Sequence, residues 1–211
     1  MSGEAAVVLE QPTNQSQIDS NSVFINCPFD LDYKPLMDAI ILSTVACGFE
    51  PRTATDTSDV SRSRIDRITR AMGECRYSIH DLSLCTGAGE WNLARFNMPL
   101  ELGMAMSLAH DWLVLVPSGH KYATFVSDLA GYDLKPHDKT TDAVIRAVIS
   151  WLSTRRDDYT MTPPHVISKY DEFQQRITKV EIEWGDPPFE LVLLAARASL
   201  ELSSQVPSER S

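Results

Sequence analysis

Glu101 stands inside an otherwise apolar stretch, Met98-Pro99-Leu100-Glu101-Leu102-Gly103-Met104-Ala105-Met106. A carboxylate in such company needs a partner or a purpose. Pro99 suits the first turn of a helix and Asn97 can cap it, which puts Glu101 in the first turn, where the helix dipole favours negative charge. Gly103 leaves room for a close backbone approach. The plainer alternative is a first-turn glutamate on an exposed face. The second carboxylate is Asp81, at the end of the predicted strand Tyr77–Leu82. A carboxylate at a strand end can accept hydrogen bonds from a sugar hydroxyl. Its neighbour His80 points to the other face of an extended strand and reads as a core histidine satisfied by hydrogen bonds.

In open parallel sheets, ligands collect at the carboxyl ends of the strands. That rule selects Asn26, Cys27, Phe29, Asp30 and Tyr33 after the first strand, and Arg52, Thr53 and Asp56 after the second. It adds Asp81 and Ser83 after the third, then Arg95, Asn97, Met98 and Glu101 around the helix that follows. Asp, Asn and Ser at such places also cap turns without any further role. Cys27 lacks a histidine with a base-like context and reads as a small buried hydrophobe. No spacing of His, Cys, Asp and Glu matches a metal site, and none is expected. There is no GxGxxG, GxxxxGK[ST] or GxSxG, so dinucleotide-fold, P-loop and hydrolase-elbow chemistries lose their usual support.

The elements that must position these residues alternate. Val23–Cys27, Phe49–Ala54, Tyr77–Leu82, Trp112–Val116 and a short run near Tyr132–Leu134 read as strands. Helices are expected over Pro35–Cys47, closed by Gly48, from Ser61 or Ser63 to about Glu74, from Asn97 to about Ala109, from about Tyr122 to Leu129, and over Thr141–Leu152. The segment Ser83–Arg95 has no period and reads as a loop. Strands alternating with helices imply a flavodoxin-like α/β fold, a five-stranded parallel sheet with helices on both faces in the order 2-1-3-4-5. Pro163-Pro164 and Pro187-Pro188 bracket two further helices, Val166–Thr178 and Phe189–Leu202. The expected organisation is a tail over residues 1–20, the α/β domain over 21–159, a C-terminal helical appendage over 160–203 and a tail over 204–211.

Composition bounds the function. Nineteen Lys and Arg against 29 Asp and Glu give a net charge of −10 over 211 residues. That balance disfavours direct nucleic-acid binding and anionic membrane surfaces, both of which need a basic face. No apolar run approaches the roughly 20 residues of a spanning helix. Met1–Ser20 lacks the basic and apolar regions of a secretory signal, and the four cysteines are widely spaced. We therefore expect a cytoplasmic protein with reduced thiols.

Val23-Phe24-Ile25-Asn26-Cys27-Pro28-Phe29-Asp30, Arg64-Ile65, Ser78-Ile79-His80-Asp81-Leu82-Ser83 and Arg95-Phe96-Asn97-Met98-Pro99-Leu100-Glu101-Leu102-Gly103-Met104-Ala105 together resemble the nucleoside 2-deoxyribosyltransferase-like and TIR-like group of bacterial proteins. The resemblance covers roughly residues 22–135. It implies a flavodoxin-like sheet and an enzyme that cleaves or exchanges N-glycosidic bonds. The glutamate of the E-L-G segment, Glu101, would be the catalytic carboxylate that traps or stabilises an oxocarbenium-like sugar. Asp81 would orient the sugar hydroxyls. Asn26, Phe29, Asp30, Arg64, Ser83, Arg95, Asn97 and Met98 would complete a substrate site, with an arginine on a phosphate and an aromatic or Met98 against the base.

Two departures narrow the reading. The turn Arg95–Pro99 lacks the glycine-rich stretch of many transferases, which favours hydrolysis over base exchange. The first strand lacks the F-I-S-Y opening of TIR domains. The expected activity is hydrolysis of a ribose–base bond in a nucleoside, a nucleotide or NAD, with no cofactor beyond that substrate. Proteins of this type serve in bacterial anti-phage and toxin systems in which assembly switches the enzyme on, so the resemblance implies a homo-oligomer and leaves room for a regulatory partner protein. The stripe Leu191, Leu193, Leu194 and Leu200 suits such assembly, or equally a cap on the sheet domain. The rival reading of the same cleft is a non-catalytic nucleotide-binding sensor or assembly module.

Overall fold

The computed structural model describes residues 18–54, 63–83, 97–108, 111–118, 129, 132, 134–159, 161–185 and 187–202. Five parallel strands form one sheet, β1 (Asp19–Asn26), β2 (Glu50–Arg52), β3 (Cys75–Asp81), β4 (Asp111–Pro117) and β5 (Leu134–His137), in the order β2-β1-β3-β4-β5. This is the flavodoxin-like arrangement expected from the alternation of elements. The register sets Asn26 beside His80 and Asp81 beside Leu115, so the carboxyl ends of the three central strands are level.

Six helices accompany the sheet among the described residues. They are α1 (Lys34–Ala46), α2 (Arg64–Gly73), α3 (Asn97–Ser107), α4 (Thr141–Leu152), α5 (Pro163–Trp184) and α6 (Phe189–Ser199). Side-chain alternation sorts them. Val23, Ile25 and Ile79 face a core shared with α1 and α4, whereas Phe24 packs with Ile68 and Met72 of α2. Leu82, Val114 and Val116 meet Met98 and Leu102 of α3. Ser63 caps α2 by accepting the Asp66 N–H, and Thr140 caps α4 by accepting the Ala143 N–H. Gly48 ends the α1 turn at φ 75°, a backbone setting that favours glycine.

α1 shows why α5 and α6 are there. Ten of its 13 residues are buried, so it has no solvent face of ordinary width. One side lies on the sheet and the other is covered by Val166, Phe173 and Ile177 of α5 and Leu193 and Ala196 of α6. Ser43 and Thr44 survive there by donating to the carbonyls of Ala39 and Ile40, one turn back. Asp38 is buried too, and its Oδ2 accepts from Lys34 Nζ at 2.7 Å and from Gln174 Nε2 of α5 at 3.0 Å. Of the leucine stripe, Leu193 and Leu200 are spent on this core, while Leu194 is exposed.

Several boundaries differ from expectation. β5 lies at Leu134–His137 rather than near Tyr132–Leu134. As an edge strand it tolerates Pro136, whose missing N–H costs nothing where no further strand follows. α5 begins at Pro163, because a proline at the first helical position loses only an N–H that has no intrahelical acceptor. α3 begins at Asn97 itself, so Glu101 falls beyond the first turn and the dipole argument for it weakens. The helix expected over 122–128 and most of the loop expected over 83–95 lie outside the described residues. No helix among the described residues is long and apolar enough to cross a membrane.

Truncating the fully buried ring in Phe173→Ala is expected to cost about 3–5 kcal/mol, measured by urea unfolding, while Leu194→Ala stays within about 0.5 kcal/mol. Burial raises the Asp38 carboxyl above its ordinary value of 3.8, against the opposing pull of Gln174 and Lys34. The folded state thus holds that proton more tightly than the unfolded chain, and Asp38's contribution is full below pH 3.8 and lost as pH rises through the raised pKa. The stability of Asp38→Asn relative to the parent should therefore climb with pH across that window. A flat difference in urea midpoints would contradict it.

Candidate functional site

Two polar groupings meet the carboxyl edge of the sheet, one from each face. On the α1 face, Asp81 ends β3 with no exposed side-chain surface. Tyr33, just before α1, donates its hydroxyl to Oδ2. The Ser83 N–H donates to Oδ1 at 2.7 Å, and His137 Nε2 lies 3.1 Å from Oδ2. The Lys139 N–H donates to His137 Nδ1 at 3.2 Å, so the neutral ring carries its proton on Nε2 and donates it to the carboxylate. Ser83 Oγ sits 3.3 Å from the same nitrogen. Three protein donors, from the start of α1, the end of β3 and the end of β5, thus satisfy a fully buried carboxylate.

On the opposite face, Asn26 ends β1 with 1% of its surface exposed. Its Nδ2 donates to the Met98 carbonyl at 3.2 Å and to His80 Nδ1 at 3.0 Å. Turning the amide over would set its oxygen against that carbonyl, so the orientation is fixed by its partners. His80 then carries its proton on Nε2 and donates to Ser78 Oγ at 2.9 Å. Asn26 Oδ1 is buried and has no hydrogen-bond partner among the described residues. A buried acceptor of this kind calls for a donor from water or a ligand.

Glu101 is buried, with 4% of its surface exposed. It shares a helical face with Ala105 one turn on, and Ala105 packs with Phe24, Ile68 and Met72. Glu101 therefore lies on the side of α3 turned toward β1 and α2. α2 starts at the same carboxyl edge, because a helix that follows a parallel strand runs back along the sheet, and its first residue, Arg64, is exposed. Gly103 is exposed and a Cβ there would meet nothing within 4 Å, so no close approach explains it.

The structure brings Asn26, Met98 and His80 into direct contact and groups Asp81 with Ser83. It does not set Asp81 and Glu101 on one face, since they reach the edge from opposite sides of the sheet. Phe29 is 40% exposed and lines a hollow on the α1 face. The Asp30 carbonyl accepts the Tyr33 and Lys34 N–H groups and shapes the turn into α1. Arg95 and Asp56 lie outside the described residues, as does the side chain of Asn97. Sequence reasoning missed His137, because Lys135-Pro136-His137 does not look like a strand. It had Tyr33 in the right region without its tie to Asp81.

No protein-family model matches the sequence. No curated protein matches it. Among solved structures, the TIR domains of the activated Roq1 resistosome, which directly recognises the pathogen effector XopQ, align with a TM-score of 0.38 at 13% identity. That alignment covers 76% of this chain and 99% of the other.

Asp81→Asn turns one acceptor into an N–H facing a donor. It is expected to cost about 1–3 kcal/mol in urea unfolding. An unchanged midpoint would show that the three donors contribute little.

Proposed function

We propose that this chain is an N-glycosidase that cleaves a ribose–base bond in a nucleoside, a nucleotide or NAD, with Glu101 as the catalytic carboxylate. The observation that carries the reading is the buried acceptor Asn26 Oδ1, which lacks a donor among the described residues and belongs to an amide whose Nδ2 bonds the start of the helix that bears Glu101. A sugar hydroxyl is a donor of the right kind. A carboxylate beside the anomeric carbon stabilises the oxocarbenium-like transition state or captures the sugar covalently, and water then completes hydrolysis. Exclusion of water strengthens that interaction at so buried a position. Arg64, exposed at the start of α2, would take a phosphate, and Met98, buried beside Asn26, would border the base.

Asp81 keeps a role in this proposal as a positioning residue. It orients Tyr33 and His137 rather than the sugar itself. The family resemblance noted above favours a bacterial defence or toxin effector, working as an oligomer in the cytoplasm. A second reading, a nucleotide-binding sensor without turnover, is favoured by one feature, namely that both Asp81 oxygens are already engaged by protein donors.

The test is incubation with a panel of nucleosides, nucleotides and NAD, with free base followed by chromatography. Base release is expected for at least one compound, and Glu101→Gln should lower it by about 10²-fold or more while the circular dichroism spectrum is unchanged. Binding without release across the panel would favour the sensor, and full activity in Glu101→Gln would remove the mechanism.

A further inference from the structure

A separate hollow of about 440 Å³ opens on the α1 face, between the start of α1, the end of β2 and the connection from α5 to α6. Asp81 and Glu101 are not among its walls. Phe29, Met37, Phe189 and Val192 supply apolar and aromatic surface, and the volume falls in the range of small-molecule sites. Its polar side is a charge cluster. Lys34 Nζ lies 2.7 Å from Asp38 Oδ2 and 3.0 Å from Glu181 Oε1, so one ammonium serves two carboxylates. Asp38 is buried and takes a second donor from Gln174, whereas the Glu181 side chain keeps 34% of its surface open.

We propose that this hollow binds a small organic ammonium with an apolar or aromatic body. The cluster is one charge short of neutral, and a monocation supplies it. Glu181, partly open and bonded among the described residues only to Lys34, is the anchor for the ligand ammonium, while Asp38 stays with Lys34 and Gln174. Phe29 and Phe189 cover the body of the ligand and add attraction between a cation and a ring face. The same charges exclude carboxylates and phosphates, which would meet two anions for one cation. Nucleotide phosphates therefore belong elsewhere, and this site stands independently of the glycosidase reading. Since the walls come from α1, α5 and α6 together, a ligand here also ties the outer helices to the sheet domain.

The test is calorimetric titration of the full chain with phenethylamine, 2-phenylethanol and 3-phenylpropionate, which share a ring and differ in charge. Phenethylamine should bind about tenfold more tightly than the alcohol, and the carboxylate more weakly than either. The advantage of the amine should shrink as salt is raised. Glu181→Gln, at a partly exposed position, should erase most of that advantage and leave the alcohol's binding unchanged. Phe189→Leu keeps the charges and should weaken amine and alcohol alike. Equal binding of the three probes, tighter binding of the carboxylate, no measurable binding of the amine, or an amine advantage retained in Glu181→Gln would each overturn the proposal.

Discussion

A parallel sheet covered on both faces leaves its polar side chains little room except at the strand ends, and each one buried there must find a partner. That requirement organises the carboxyl edge of this protein. Asp81 is held by a tyrosine, a backbone amide and a neutral histidine. His80 is held by Asn26 and Ser78. The ties of Asp81 to Tyr33 and His137 and of Asn26 to His80 and Met98 join segments far apart in the chain, so the ends of β1, β3 and β5 and the start of α3 are set by hydrogen bonds as well as by packing. Against this background, the unmet acceptor Asn26 Oδ1 is the atom to which the proposed sugar hydroxyl would donate.

The second organising fact is the two-sided burial of α1. A helix with apolar residues on nearly every side cannot face water, and α5 and α6 supply its outer cover. The cover is itself partly polar. Asp38 reaches Gln174, and Lys34 reaches Glu181, so α5 is fixed in rotation as well as position. The hollow proposed to take an ammonium follows from this layer, because it forms where the outer helices turn and leave the edge of α1 uncovered.

The fold was legible because its signals are local. Val23–Ile25 and Leu113–Val116 are buried apolar runs with turn residues beyond them, and Thr141–Leu152 has a clear helical period with a threonine cap. β5 was harder to place, since an edge strand with Lys135 and Pro136 lacks both the apolar run and the alternation that mark a strand. The candidate site was less legible still. Periodicity correctly separated His80 from Asp81, yet the same rule shows that Asp81 points toward α1 while Glu101 rides on a helix of the other face. Linear spacing carries no information on which face a later helix will take. Nor does it show that Tyr33 and His137, 104 residues apart by number, converge on one carboxylate.

The central claim is that the edge between β1 and the start of α3 receives a sugar. The most direct measurement is an NMR titration of the labelled chain with a nucleoside monophosphate, following the side-chain amide of Asn26 and the backbone amides of α3. The account expects saturable shifts at Asn26 and around Met98–Leu102. Shifts confined to other parts of the chain, with Asn26 unmoved at saturation, would contradict it.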